Sequence, residues 1–245
     1  MTTAHKSRVL DMTRGDPFRL LLQFSLPLFC SNMLQQVYNL TDTALAGHLL
    51  GSAALAEIGA TAALYGLIMN FAFGMNNGLA LTVSRCFGAG EREGIRRAVG
   101  WMVTLSAAVS IVLTTVSLLG RGALLQVLQV PAEVWDGAAA YLTVILLGIP
   151  LTMLYNMEAA LLRAVGNSVT PLLFLLFSSV LNVGLDAAFM GPLGMGVRGA
   201  AVATVLAQGI SAVLGAVYLV RSYPELHFAP AHLKKSTRRA VMNMF

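Results

Sequence analysis

Six long apolar stretches, separated by short polar clusters, make up most of the chain. They run from Leu20 to Thr41 and on past Asp42 to about Gly47, from Ile58 to Ser84, from Ala98 to Gly120, from Gly137 to Met157, from Ala164 to Leu185 and on past Asp186 to about Met190, and from Gly199 to Val220. A helix needs about 20 apolar residues to cross a hydrocarbon core roughly 30 Å thick, and each stretch is about that long or longer. None alternates with period two, so each predicts a helix, and the many ten-residue segments of a membrane barrel are missing. The expected architecture is all-α: a six-helix transmembrane bundle over residues 20–221, with a cytoplasmic segment 1–19 before it and a basic cytoplasmic segment 222–245 after it.

The opening stretch MTTAHKSRVLDMTRGDPFR is polar and does not read as a signal peptide. Asp16-Pro17 predicts a helix start, with Pro17 in the first turn. Pro27, Pro150 and Pro171 fall inside or near the ends of apolar spans. Each removes a backbone donor, so bends are expected at Pro27 and Pro150, either as packing kinks or as gating elements.

Composition agrees with this pattern. Of 245 residues, 57% are hydrophobic and 11% charged, where soluble domains carry about 25% charged residues. A soluble enzyme, a disordered tail and a nucleic-acid-binding domain are excluded as fold classes. The net charge of +5 is not a nucleic-acid signature, because the basic residues cluster between apolar runs. With the N-terminus in the cytoplasm, fourteen of the sixteen lysines and arginines fall on the inside, leaving Arg121 and Arg198 outside. The positive-inside rule fixes that orientation in a plasma (inner) membrane, with both ends cytoplasmic. The tail KKSTRR then faces anionic lipid. Cys30 and Cys86 offer neither a disulfide framework nor metal-ligand spacing. His5, His48, His227 and His232 are scattered, and no catalytic constellation, nucleotide-binding loop or cofactor motif appears, so no enzyme is expected.

Most of the eleven acids lie in loops, tails or span ends. Glu57 is expected in the outer turn between the first two spans, and Glu158 beside Arg163 as a local ion pair or a snorkelled end charge. Asp42 and Asp186 remain inside apolar runs. An Asp at a helix centre costs roughly 2.5–3.5 kcal/mol on insertion scales, so it should face the bundle interior and be neutralised by a proton, a cation or a partner. The alternative is a polar contact that only joins two helices.

Counting along the spans places Asp42 near the outer end of the first and Asp186 in the outer half of the fifth. Asn182 lies four residues before Asp186, on the same face. Tyr141 and Thr204 lie near the outer starts of the fourth and sixth spans. These oxygen-bearing side chains share one membrane layer on four helices. Such oxygens suit a hard cation like Na⁺, or a proton held by hydrogen bonds. An interfacial-belt role for Tyr141 and a packing role for Thr204 stay open at this point. Asn32, Gln35, Gln36 and Asn39 lie largely on one face of the first span, lining either a cavity or a helix contact. The stretch from Asn39 to Thr61 also echoes that from Asn182 to Thr204, which reads as a duplication relic or as small-residue bias.

The segments LPLFCSNMLQQVYNLTDTALAGHLLG, FGAGEREGIRRAVG, LLRAVGNSVTP, VLNVGLDAAF and GPLGMGVRGAAVAT, in this order over almost the whole chain, resemble the multidrug and toxic compound extrusion (MATE) family. The resemblance implies a twelve-helix antiporter of two six-helix lobes, of which this chain would be the N-terminal one. It implies export of a small organic compound, often cationic or amphipathic, driven by inward H⁺ or Na⁺, with no other cofactor. It also implies a cation site at Asp42, Tyr141, Asn182, Asp186 and Thr204. The second lobe is an expected partner, besides membrane lipid. Two other functions stand beside this one: a flippase for lipid-linked sugars of related fold, and a non-transporting membrane fragment. The acidic rather than basic charges at membrane depth favour a cationic cargo.

Overall fold

A computed structural model describes residues 15–226. The expected segments 1–19 and 222–245 lie largely outside the described residues, with Lys6, Arg8, Arg14, Lys234, Lys235, Arg238 and Arg239. The described chain forms α1 (Pro17–Leu50), α2 (Ser52–Gly88), α3 (Arg92–Leu119), the short α4 (Arg121–Val127), α5 (Trp135–Ala164), α6 (Val169–Met190) and α7 (Val197–Ser222). The six long helices are those that the apolar stretches predict. Five of them, α2, α3, α5 with its preceding 3₁₀ turn, α6 and α7, are long and apolar enough to cross a membrane. In α1 the polar run of Asn32, Gln35, Gln36, Asn39 and Asp42 dilutes the apolar residues over its 34 positions.

The helices α1, α2, α5 and α7 begin earlier and end later than their apolar stretches, whereas α6 starts later, at Val169 rather than Ala164. Hydropathy marks only the hydrocarbon slab, and the 37 residues of α2 outrun it, since about 20 residues suffice. Asp16 caps α1 as its sequence predicts, accepting a hydrogen bond from the Phe18 backbone N–H at 3.1 Å. A single residue, Gly51 at φ 85°, joins α1 to α2. Glu57 therefore lies inside α2, not in a turn, and packs over Gly137 at the start of α5. The basic loop after α2 shrinks to Ala89–Glu91, so its arginines sit on helix ends.

The core lies between α5 and α7. Half of their apolar windows are buried, against 22% in α2 and α3. They approach closely where Gly148 faces Val205, a contact that a Cβ at 148 would occupy. The helix α1 packs chiefly on α6 and touches α2 little. It passes through Pro27 without interruption, as α5 does through Pro150. Pro171 sits in the first turn of α6, where a missing N–H costs no intrahelical bond.

Candidate cation-binding site

The first and fifth long helices, α1 and α6, bring two acids together. Asp186 is completely buried, and Asp42 is half-buried beside it. Their carboxyl groups lie within hydrogen-bonding reach of each other. One turn before Asp186, the buried Asn182 donates its amide Nδ2 to Thr204 Oγ1 of α7 at 3.4 Å. Tyr141 of α5 is also buried, and its phenol lies in the field of both acids. The structure thus gathers all five residues that the membrane-depth count placed in one layer.

The electrostatics are one-sided. Among the described residues, no basic side chain reaches either carboxyl group. Asp42 Oδ1, both carboxylate oxygens of Asp186 and Asn182 Oδ1 are buried without a hydrogen-bond donor. Buried acceptors without donors are rare and costly. Oxygen atoms converging with no positive charge fit a proton shared by the two carboxyls, or a hard monovalent cation.

A family model described as MatE matches residues 27–188, a stretch that contains Asp42 and Asp186. This chain belongs to the MatE family. It is 31% identical over 214 residues to the probable multidrug resistance protein YpnP of Bacillus subtilis, covering 87% of this chain and 48% of that protein. It is 28% identical over 229 residues to the probable multidrug resistance protein NorM of Thermotoga maritima, covering 91% and 49%. A solved outward-facing structure of a multidrug resistance MATE family transporter of the MOP superfamily superposes with a TM-score of 0.88 at 26% identity. That match covers 97% of this chain and 52% of the solved one. The chain thus spans about half the length of the curated relatives it matches, and it is a multi-pass membrane protein with the fold of one MatE lobe.

Three further side chains join this cluster in the MatE lobe. Tyr38 lies beside Thr204 and close to both acids. Tyr65 of α2 lies near Asp42 and beside Gln208. Gln208 in turn accepts a hydrogen bond from the Thr152 hydroxyl of α5. Sequence reasoning missed all three, yet a signal existed: Tyr38 is four residues before Asp42, and Gln208 is four after Thr204, so each shares a face with a chosen residue.

The polar stripe of α1 is not drawn into this cluster. Asn32, Gln36 and Asn39 are exposed, and Gln35 is half-buried with its Nε2 donating to Asn39 Oδ1 at 3.3 Å. Pro27 lies farther along the helix, where its carbonyl accepts from Ser31 Oγ at 2.8 Å. Thr61, the counterpart of Thr204 in the internal echo, donates to the Ile58 carbonyl of its own helix at 3.0 Å.

Glu158 corrects a second expectation. It does not pair with Arg163: it is 4% exposed, with Oε1 buried and without a donor. Arg163 turns instead to Asn77 Oδ1 at 3.2 Å and to the ring of Phe73. The one ion pair among the described residues is Arg97–Glu93.

Proposed function

We propose that this lobe is the cation-responsive half of an antiporter that exports small, often cationic or amphipathic organic compounds, with H⁺ or Na⁺ as the coupling ion. The observation that carries the reading is the paired, donor-free carboxyls of Asp42 and Asp186. The multidrug relatives supply the class of cargo. Asp42 and Asp186 take the ion, Asn182 adds an amide oxygen, and Thr204 and Tyr141 supply hydroxyls. Neutralising the acid pair removes repulsion between α1 and α6 and so favours one arrangement of α1. Coupling follows if the ion binds that arrangement more tightly, since equal affinity for two states shifts nothing.

In this reading both ends of the lobe face the cytoplasm of a plasma (inner) membrane, residues 20–221 form the bundle, and a second six-helix lobe completes the substrate cleft. Asn32, Gln35, Gln36 and Asn39 on the exposed side of α1 line that cleft, and Pro27 supplies the bend. The complete transporter, in proteoliposomes loaded with a fluorescent organic cation, tests the reading. Efflux should follow an imposed inward H⁺ or Na⁺ gradient and should cease in Asp186→Asn. Efflux indifferent to both gradients would reject the coupling.

A further inference from the structure

A second buried acid lies at the opposite end of the lobe. Glu158 of α5 lines a small cavity with Tyr155, Leu162, Pro171, Phe174 and Ser211. From Thr204 to Ser211 along α7 is about 10 Å, and from Tyr141 to Glu158 along α5 is about 25 Å, at 1.5 Å per residue. The two acid sites are therefore separate.

Three observations describe the second site. Glu158 Oε1 and Ser211 Oγ are both buried without a hydrogen-bond partner, and both residues are more than nine-tenths buried. The Glu158 carboxylate lies directly over Gly215 of α7, in space that a Cβ would fill. The cavity is about 10 Å³, and its accessible lining is wholly apolar. Pro171 and Phe174 of α6 add no titratable group to the lining. From α7 come Ser211 and Gly215, and from α5 itself the phenol of Tyr155, while Arg163 is committed to Asn77. The helices α2 and α3 pack on the neighbouring residues Met157, Ala160 and Leu161 of α5 and contribute nothing to the lining. Phe174 meets the ring of Tyr218 edge-on, and Tyr218 meets Tyr223, which closes this end with aromatic side chains.

We infer that Glu158 is a second proton-binding site of the lobe, holding its proton in a buried, apolar setting over Gly215, apart from the Asp42–Asp186 pair. One carboxyl and one hydroxyl offer too few oxygens for a bare metal ion. A carboxylate without a cation or donors is costly at this depth. A proton removes that charge and leaves a carboxylic acid that can both donate and accept a hydrogen bond, as can the orphan hydroxyl of Ser211 on the same lining. The polar side chains Thr204, Gln208 and Ser211 follow one face of α7 at intervals of four and three, leading from the acid pair toward this cavity. The assignment does not depend on which ion the acid pair takes.

Infrared difference titration of the full chain in lipid tests it. A protonated-carboxyl band should be absent in Glu158→Gln and persist in the Asp42→Asn, Asp186→Asn double variant. Ser211→Ala should keep the band and shift its frequency, and this arm decides the question if Glu158→Gln does not insert. An unchanged band in Glu158→Gln would overturn the inference. So would loss of the band in the double variant, or a Ser211→Ala spectrum identical to the parent. Failure of ion-coupled efflux, by contrast, would reject only the antiport reading.

Discussion

Asp42 and Asp186 stand on helices far apart in the chain, yet their carboxyl groups come within hydrogen-bonding reach with no basic side chain between them. Asp186 is the more deeply buried, with both carboxylate oxygens lacking donors. Asp186→Asn should therefore abolish coupled efflux while leaving membrane insertion intact, and Asp42→Asn should do so less completely. Drug resistance of a host expressing each variant of the complete transporter, set against its membrane abundance, checks both. Full resistance in Asp186→Asn would remove it from the coupling site.

Thr204 accepts from Asn182 and meets Tyr38. Thr204→Val keeps the shape and removes the hydroxyl. A lost hydrogen bond is worth about 1 kcal/mol, or roughly a five-fold weaker ion affinity. Equilibrium ion binding to purified variants reads this, and Tyr38→Phe should fall in the same direction by a smaller factor.

Gly148 lets α5 approach α7 at Val205. Gly148→Val overfills this contact and should destabilise the lobe by about 1–3 kcal/mol. Thermal unfolding in detergent should show a lower midpoint, and an unaltered midpoint would mean that the helices part there at no cost.

Arg163 bonds Asn77 and lies 5.7 Å from the Phe73 ring centroid, while Glu158 faces away from it. A double-mutant cycle of Arg163→Met and Glu158→Gln should give a coupling energy below about 0.5 kcal/mol. Arg163→Met alone should cost about 2 kcal/mol, from a charged hydrogen bond and a cation–π contact. Strong coupling in the cycle would restore the local ion pair expected from the nearness of the two residues in sequence.

The two acids of the site were legible because a charge inside an apolar run is costly and therefore conspicuous. Helix direction then set the depth of Asn182, Tyr141 and Thr204. Tyr38 and Tyr65 escaped because an aromatic ring in an apolar span is equally at home against lipid, so its type carries little information. Gln208 escaped as a single amide with no charge to mark it. Glu158 was misread because Arg163 is near it in sequence, whereas five residues turn about 140° around a helix and so send one side chain toward α7 and the other toward α2. The turn at Gly51 was read as a longer loop because Glu57 looks like a loop residue, although a helix can carry it where it rests over Gly137.

The attachment of α1 has a mechanical consequence. This rod grips mainly one neighbour and is tied to the next by a lone glycine, so swinging it aside disturbs far less packing than moving either central column. In the proposed coupling, a change of a single elementary charge near its C-terminal end would act on the most weakly anchored member of the lobe and turn a local titration into a lever with a long arm.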